Sequence, residues 1–254
     1  MKNNSFLFII LALSICSCGH DKVNYFNFAY PPKNKPIFAQ GEFTNKGVEN
    51  GEFTISSDSL LINGKYKQGQ KLGTWFYKID SSEFKINWKS CNVHDINMSF
   101  SVPEDWDIYD RDGVVVLAAL PQQDKKNPRE FLKIIKYPKE ELDLTSSVGQ
   151  CFLQTQNDYN LISSKPLRIV DIENVMSYYL RLELDNNTHF LFYFFEYGDD
   201  IYQVSFLTLK QNLNINFFLF FDIIHGMMLN NKKIFSPYKS YQASEFNLVP
   251  AENG

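Results

Sequence analysis

The chain has 254 residues, enough for one large domain or two small ones once a leader is removed. Its formal net charge is −4 and no block of five like charges occurs, which argues against wholesale nucleic-acid binding, because phosphate neutralisation needs a clustered basic face. Phe and Tyr number 23 and 14, and with the β-branched residues they favour sheet.

At the N-terminus, Lys2 precedes an apolar run over 6–15 and small Ser17 stands directly before Cys18, the layout of a secretory leader. The run is too short for a spanning helix, which takes about 20 residues. The ending Ile15-Cys16-Ser17-Cys18 resembles the lipobox of bacterial lipoproteins. That resemblance implies removal of a signal peptide at 1–17, acylation of the Cys18 thiol, and a mature protein held to the membrane through lipid on Cys18. It places the chain in the cell envelope. Gly19 stands where some bacteria place a retention aspartate, which favours the outer over the inner membrane. The alternative is an ordinary signal peptide that contains cysteines. Of the remaining thiols, Cys91 and Cys151 could form a disulfide in an oxidising periplasm or be small buried apolar residues. No Cys-x-x-Cys or His/Cys cluster supports a zinc site, and no metal or cofactor is expected.

Residues 18–40 read as a tether stiffened by Pro31, Pro32 and Pro36, with Tyr25, Phe26, Phe28 and Tyr30 making it more aromatic than a linker requires. Over 41–90 a loose repeat follows: Gly41-Glu42-Phe43, Gly51-Glu52-Phe53 and Gly64-Lys65-Tyr66, continuing to Gly73-Thr74-Trp75-Phe76-Tyr77. Aromatics alternating between glycine turns suit hairpin strands. The unit 64–77 resembles the MORN-type repeat, although the spacings of 10 and 13 residues are irregular. Trp75 and Tyr77 are read first as the stacked core of a thin sheet, and in the sharper alternative as an exposed face for a partner or glycan.

Residues 96–230 carry the clearest fold signal. Strands are expected at 98–103, 106–109, 114–120 and 131–137, then a helix over 146–157 with Asp143 or Thr145 as its cap. A meander follows at 167–172, 176–183, 189–197 and 201–208, with turns at 185–187 and 198–200. A last amphipathic helix runs to Met228; Asp222 and His225 interrupt its apolar stripe and exclude a membrane span. The phrase Phe100-Ser101-Val102-Pro103-Glu104-Asp105-Trp106, together with this order of elements, resembles the PsbP-like family. The resemblance implies an α+β fold, an antiparallel sheet flanked by helices as an α/β/α sandwich, preceded here by a small N-terminal all-β hairpin segment. Trp106 is read as a core ring, or alternatively as an aromatic docking site. Residues 231–254 are expected as a C-terminal extension.

Searching for chemistry, we find no nucleophile elbow, Walker-type loop or paired-histidine motif, and no catalytic residue is assigned. Cys91, His94 and Asp95 lie close along the chain, but no orienting or oxyanion group accompanies them. The chain is therefore expected to be a non-enzymatic envelope lipoprotein that binds or scaffolds a protein partner, without nucleic acid. The alternatives are an immunity or chaperone component for a secreted toxin, and a hydrolase acting on an envelope polymer.

Overall fold

A computed structural model describes residues 23–25, 36–111, 115–119, 130–140, 142–171, 176–238, 241–246 and 248. The leader, Cys18, Pro31 and Pro32 lie outside the described residues. The glycine–aromatic repeat becomes a ladder of strands: β1 (Val23–Asn24), β2 (Phe38–Phe43), β3 (Glu49–Ser57), β4 (Leu60–Lys67), β5 (Gln70–Ile79), β6 (Ser82–Val93) and β7 (Met98–Pro103), all antiparallel to their neighbours. Phe43, Phe53, Tyr66 and Trp75 supply one ring from each of β2 to β5. Successive centroids lie 5.2, 5.1 and 4.9 Å apart, edge to face, the geometry aromatic quadrupoles prefer. The glycines make room for these rings. A Cβ on Gly64 would sit 2.1 Å from Trp75, and one on Gly41 2.4 Å from Phe53.

Downstream come β8 (Asp107–Arg111), β9 (Val115–Ala119), β10 (Phe131–Pro138) and helix α1 (Leu144–Asp158). The meander is β11 (Leu161–Asp171), β12 (Met176–Leu184), β13 (Thr188–Tyr197) and β14 (Asp200–Leu209). Helix α2 (Leu213–His225), β15 (Met228–Leu229), β16 (Lys232–Lys233) and β17 (Tyr241–Glu245) complete the chain. Helix α1 begins at Leu144 because Asp143 is its cap, its carboxylate accepting from the Ser146 amide at 2.8 Å. Helix α2 stops at His225 rather than Met228: Gly226 caps it, and Met228 turns into β15 to pair with Ser99. Its start is fixed by buried Glu130, whose carboxylate accepts from Thr208 Oγ1 (2.9 Å), the Leu209 amide (3.0 Å), Asn212 Nδ2 (2.8 Å) and Asn216 Nδ2 (2.9 Å).

Among the described residues the strands form two antiparallel sheets. The first has the order β1-β2-β3-β4-β5-β6-β7-β15-β16, the second β17-β11-β12-β13-β14-β10-β9-β8. Alternation along the meander serves two cores. Leu180, Leu182, Phe192 and Phe194 pack with Val148 of α1, while Tyr179, Leu191, Tyr193 and Phe195 share a core with Phe220, Phe221 and Ile224 of α2. The first sheet covers the other side of α2, contributing Phe53, Ile62, Trp75, Tyr77 and Phe100 to that same core.

The molecule is thus mostly antiparallel sheet, with two α-helices among the described residues. Helices α1 and α2 pack on opposite faces of the second sheet, but they flank it only in part, and the expected α/β/α sandwich gives way to a mostly β architecture. The first sheet, however, is no small hairpin segment, since β6 pairs with β7 from Trp88↔Pro103 to Val93↔Met98 and carries it across the expected boundary between 90 and 96. Parts of the expected tether and extension also join the sheets. Val23 and Asn24 pair with Ala39 and Phe38, Tyr25 and Ile37 are buried, and β17 pairs with β11.

Candidate functional site

At the inward positions of β5, alternation places Lys71, Trp75 and Tyr77 on one side of the strand, all fully buried. A lysine in such a series needs a partner, and α2 provides it. Lys71 Nζ lies 2.7 Å from Asp222 Oδ2, Tyr77 Oη donates to the same oxygen at 2.7 Å, and Lys71 donates to Tyr77 Oη at 3.1 Å. The ammonium also sits 4.1 Å from the Trp75 ring centroid. One turn further along α2, His225 Nδ1 shares a 2.8 Å hydrogen bond with Tyr25 Oη and its ring stacks on Phe235. Glu49 of β3 pairs with Lys233 of β16 behind Tyr66.

Burial governs the ionisation of these groups. It pushes the Lys71 and Lys233 ammonium groups below their usual range, while Asp222 and Glu49 respectively draw them back up. Burial, and then the Lys233 and Lys71 charges, hold His225 well below the ordinary histidine range, so its imidazole is neutral at neutral pH. The Tyr77 phenol is pushed well up by burial and by Asp222. Lys71, Tyr77, Asp222, His225 and Glu49 are buried and Lys233 is 11% exposed, and these groups act as clamps.

In front of the clamps, on the outer face of the first sheet, lies an open groove of about 660 Å³. Its frame is the turn at 44–48, the β4–β5 hairpin and the β15–β16 hairpin, with Ser90, Asn92 and Ser99 from β6 and β7 across its wall. A second hollow of about 360 Å³ adjoins it through Asn92, Ser99 and Asn231, and adds His94, Asn97 and Asn230. The hairpin turns are left-handed at Gln68 and Gly69 (φ 51° and 82°) and at Asn230 and Asn231 (49° and 59°), the pairs of positive φ that two-residue hairpins require. Gly69 is needed for a second reason. Its amide donates to the Glu49 carbonyl at 2.8 Å, and a Cβ there would lie 2.9 Å from Val48 Cγ1 in the groove floor. Glu49 points inward to Lys233 while Val48 faces the groove, so clamp and floor are consecutive residues where the 44–48 turn enters β3.

The residues singled out in the sequence lie elsewhere. Trp75 and Tyr77 are fully buried and Trp106 is 3% exposed, so these rings fill the core and present no docking face. Cys91 belongs to the core between the sheets and Cys151 to α1 beyond the second sheet, so they form no disulfide with one another. Burial raises the Cys151 thiol to about 12. His94 and Asp95 are exposed while Cys91 faces inward, and the three do not converge. Among the described residues no group of three His, Cys, Asp or Glu could hold a metal, and no helix is long and apolar enough to cross a membrane. The groove went unseen in the sequence because its residues come from five separate turns, hairpins and strands. The clamp did leave a trace: Lys71 breaks an aromatic alternation and Asp222 breaks an apolar stripe.

Comparison with known proteins finds similarity among solved structures alone. No family model matches the sequence, and no curated protein does. Among solved structures, the chain is similar to the solution structure of cyanobacterial PsbP (CyanoP) from Synechocystis sp. PCC 6803, at 18% identity and a TM-score of 0.42, covering 56% of this chain and 92% of that one. It is also similar to a crystal structure from Bacteroides thetaiotaomicron VPI-5482, at 11% identity and a TM-score of 0.29, covering 56% of this chain and 48% of the other.

Proposed function

We propose that this chain is a non-enzymatic lipoprotein of the cell envelope, favouring the outer membrane, anchored through Cys18 and presenting its folded body to a protein partner. The observation that carries the reading is the leader ending Ile15-Cys16-Ser17-Cys18, followed only five positions later by Val23 of β1. Five residues span at most about 18 Å, so an acylated Cys18 keeps the first sheet close to the bilayer. On the same reading, the chain has PsbP-like character within 96–230 and MORN-type repeat character within 41–90, the two sharing the first sheet. What supports this is the Phe100-to-Trp106 phrase, the strand–helix–meander–helix order and the Gly64-to-Tyr77 repeat unit.

Labelling cells with radioactive palmitate, followed by membrane sedimentation, tests the anchor. The wild-type protein takes up label and sediments with membranes, and Cys18→Ser does neither. A Cys18→Ser protein that still carries label, or sediments as fully as wild type, overturns the proposal.

A further inference from the structure

We propose that the groove on the outer face of the first sheet binds a neutral glycan segment, whether or not Cys18 carries lipid. Four properties of the groove lead there. Its polar lining is mostly carboxamides and hydroxyls, among them Gln68, Asn92, Asn231 and Ser99, with exposed Lys46 and Lys67 as its charged members and no aspartate or glutamate. Each carboxamide offers donors on one atom and an acceptor on the other, and so matches the donor–acceptor character of vicinal sugar hydroxyls. Between these groups Val48, Leu72 and Met228 form an apolar strip suited to the C–H faces of a pyranose ring, with methionine able to adapt its shape.

The frame is also fixed before any ligand arrives. Both hairpin turns are left-handed, Gly69 is bonded to Glu49, and Gln70 already accepts from Ser90 at 2.6 Å, so little ordering remains to be done on binding. The principal groove of about 660 Å³ lies within the roughly 300–1,000 Å³ of small-ligand sites, and the adjoining hollow extends it lengthwise. Other ligand classes fit less well. A protein hot spot calls for aromatic or arginine anchors, and neither residue type lines the groove. Nucleic acid needs clustered cations with stacking rings, whereas the groove has Lys46 and Lys67 and no ring.

The test is a printed array of neutral, amino-sugar and acidic oligosaccharides, probed with the full-length protein in a detergent without a sugar headgroup. The variants are Asn92→Ala, which truncates an exposed strand residue, and Asn231→Gly, which keeps the left-handed turn. Thermal unfolding of each variant reports whether the fold is intact. The proposal predicts retention on neutral or amino-sugar glycans that survives high salt, and binding at least about tenfold weaker in the double variant with an unchanged melting temperature. It is overturned if no glycan is retained, if retention is confined to acidic glycans and lost in salt, or if the double variant binds as wild type.

Discussion

Lys71 sits among tryptophan and tyrosine rings with Asp222 2.7 Å away, and both side chains are 1% exposed. Removing one member of such a pair strands the other in a medium that solvates it poorly, which costs about 3–5 kcal/mol; replacing both with apolar side chains is often neutral. Lys71→Met should therefore destabilise the protein by about that amount in urea denaturation, and adding Asp222→Leu together with Tyr77→Phe, which removes the hydroxyl bonded to Asp222, should recover most of the loss. His225 supplies a pH dependence of definite sign. Its folded-state pKa lies well below the 6.5 of the unfolded chain, so in acid the unfolded state binds a proton that the folded state does not. Stability is then complete above about pH 6.5 and falls as the pH drops toward the folded pKa. His189 is depressed in the same direction, chiefly by burial. His225→Gln should flatten the acid limb of the stability curve without abolishing it, as followed by denaturant midpoints between pH 4.5 and 7. An unchanged slope would mean that His225 is not neutral in the fold.

The strands of the first sheet depend on glycines for packing as much as for turns. Gly64→Ala would drive a Cβ to within 2.1 Å of Trp75, and overpacking of this kind costs about 1–3 kcal/mol. An Ala at Gly47, where nothing lies within 4 Å, should cost only the roughly 1–2 kcal/mol of a left-handed alanine. Shortening the ring with Trp75→Leu should relieve the Gly64→Ala loss and leave the Gly47→Ala loss as it was; purely additive losses at 64 and 75 would argue against the ring-over-glycine ladder. Elements of this kind are legible in the sequence, because their causes are local. Asp143 caps α1 as a capping aspartate should, Gly198 and Asn187 take left-handed turns between meander strands, and alternation assigns the meander its two faces. What cannot be read locally is partnership. Residues 88–93 show strand character, yet nothing in them says that β7 lies alongside. Likewise Met228 continues the apolar spacing of α2 and leaves the helix only because Ser99 offers it a strand to pair with.

In the whole molecule these contacts make the first sheet curl. Six strand-to-strand steps separate β3 from β16, roughly 29 Å in a flat sheet at the usual spacing of 4.7–4.9 Å. Glu49 and Lys233 nevertheless form an ion pair, and Tyr25 of the first strand reaches His225 of α2. The sheet therefore wraps around α2, and the 44–48 turn is brought beside Met228 and Asn231 to shape the groove. Neither the groove nor the curl is legible in the sequence, since both arise from residues some 180 positions apart. The proposed anchor is the reverse case, a short contiguous pattern read from the sequence alone. Trypsin cleavage at Lys22 isolates the stretch Cys18-Gly19-His20-Asp21-Lys22, and mass spectrometry of that peptide from membrane-extracted protein is the most direct measurement. The account predicts a peptide that begins at Cys18 and carries the added mass of its acyl chains; a mature chain that begins elsewhere, or an unmodified Cys18 thiol, would contradict it.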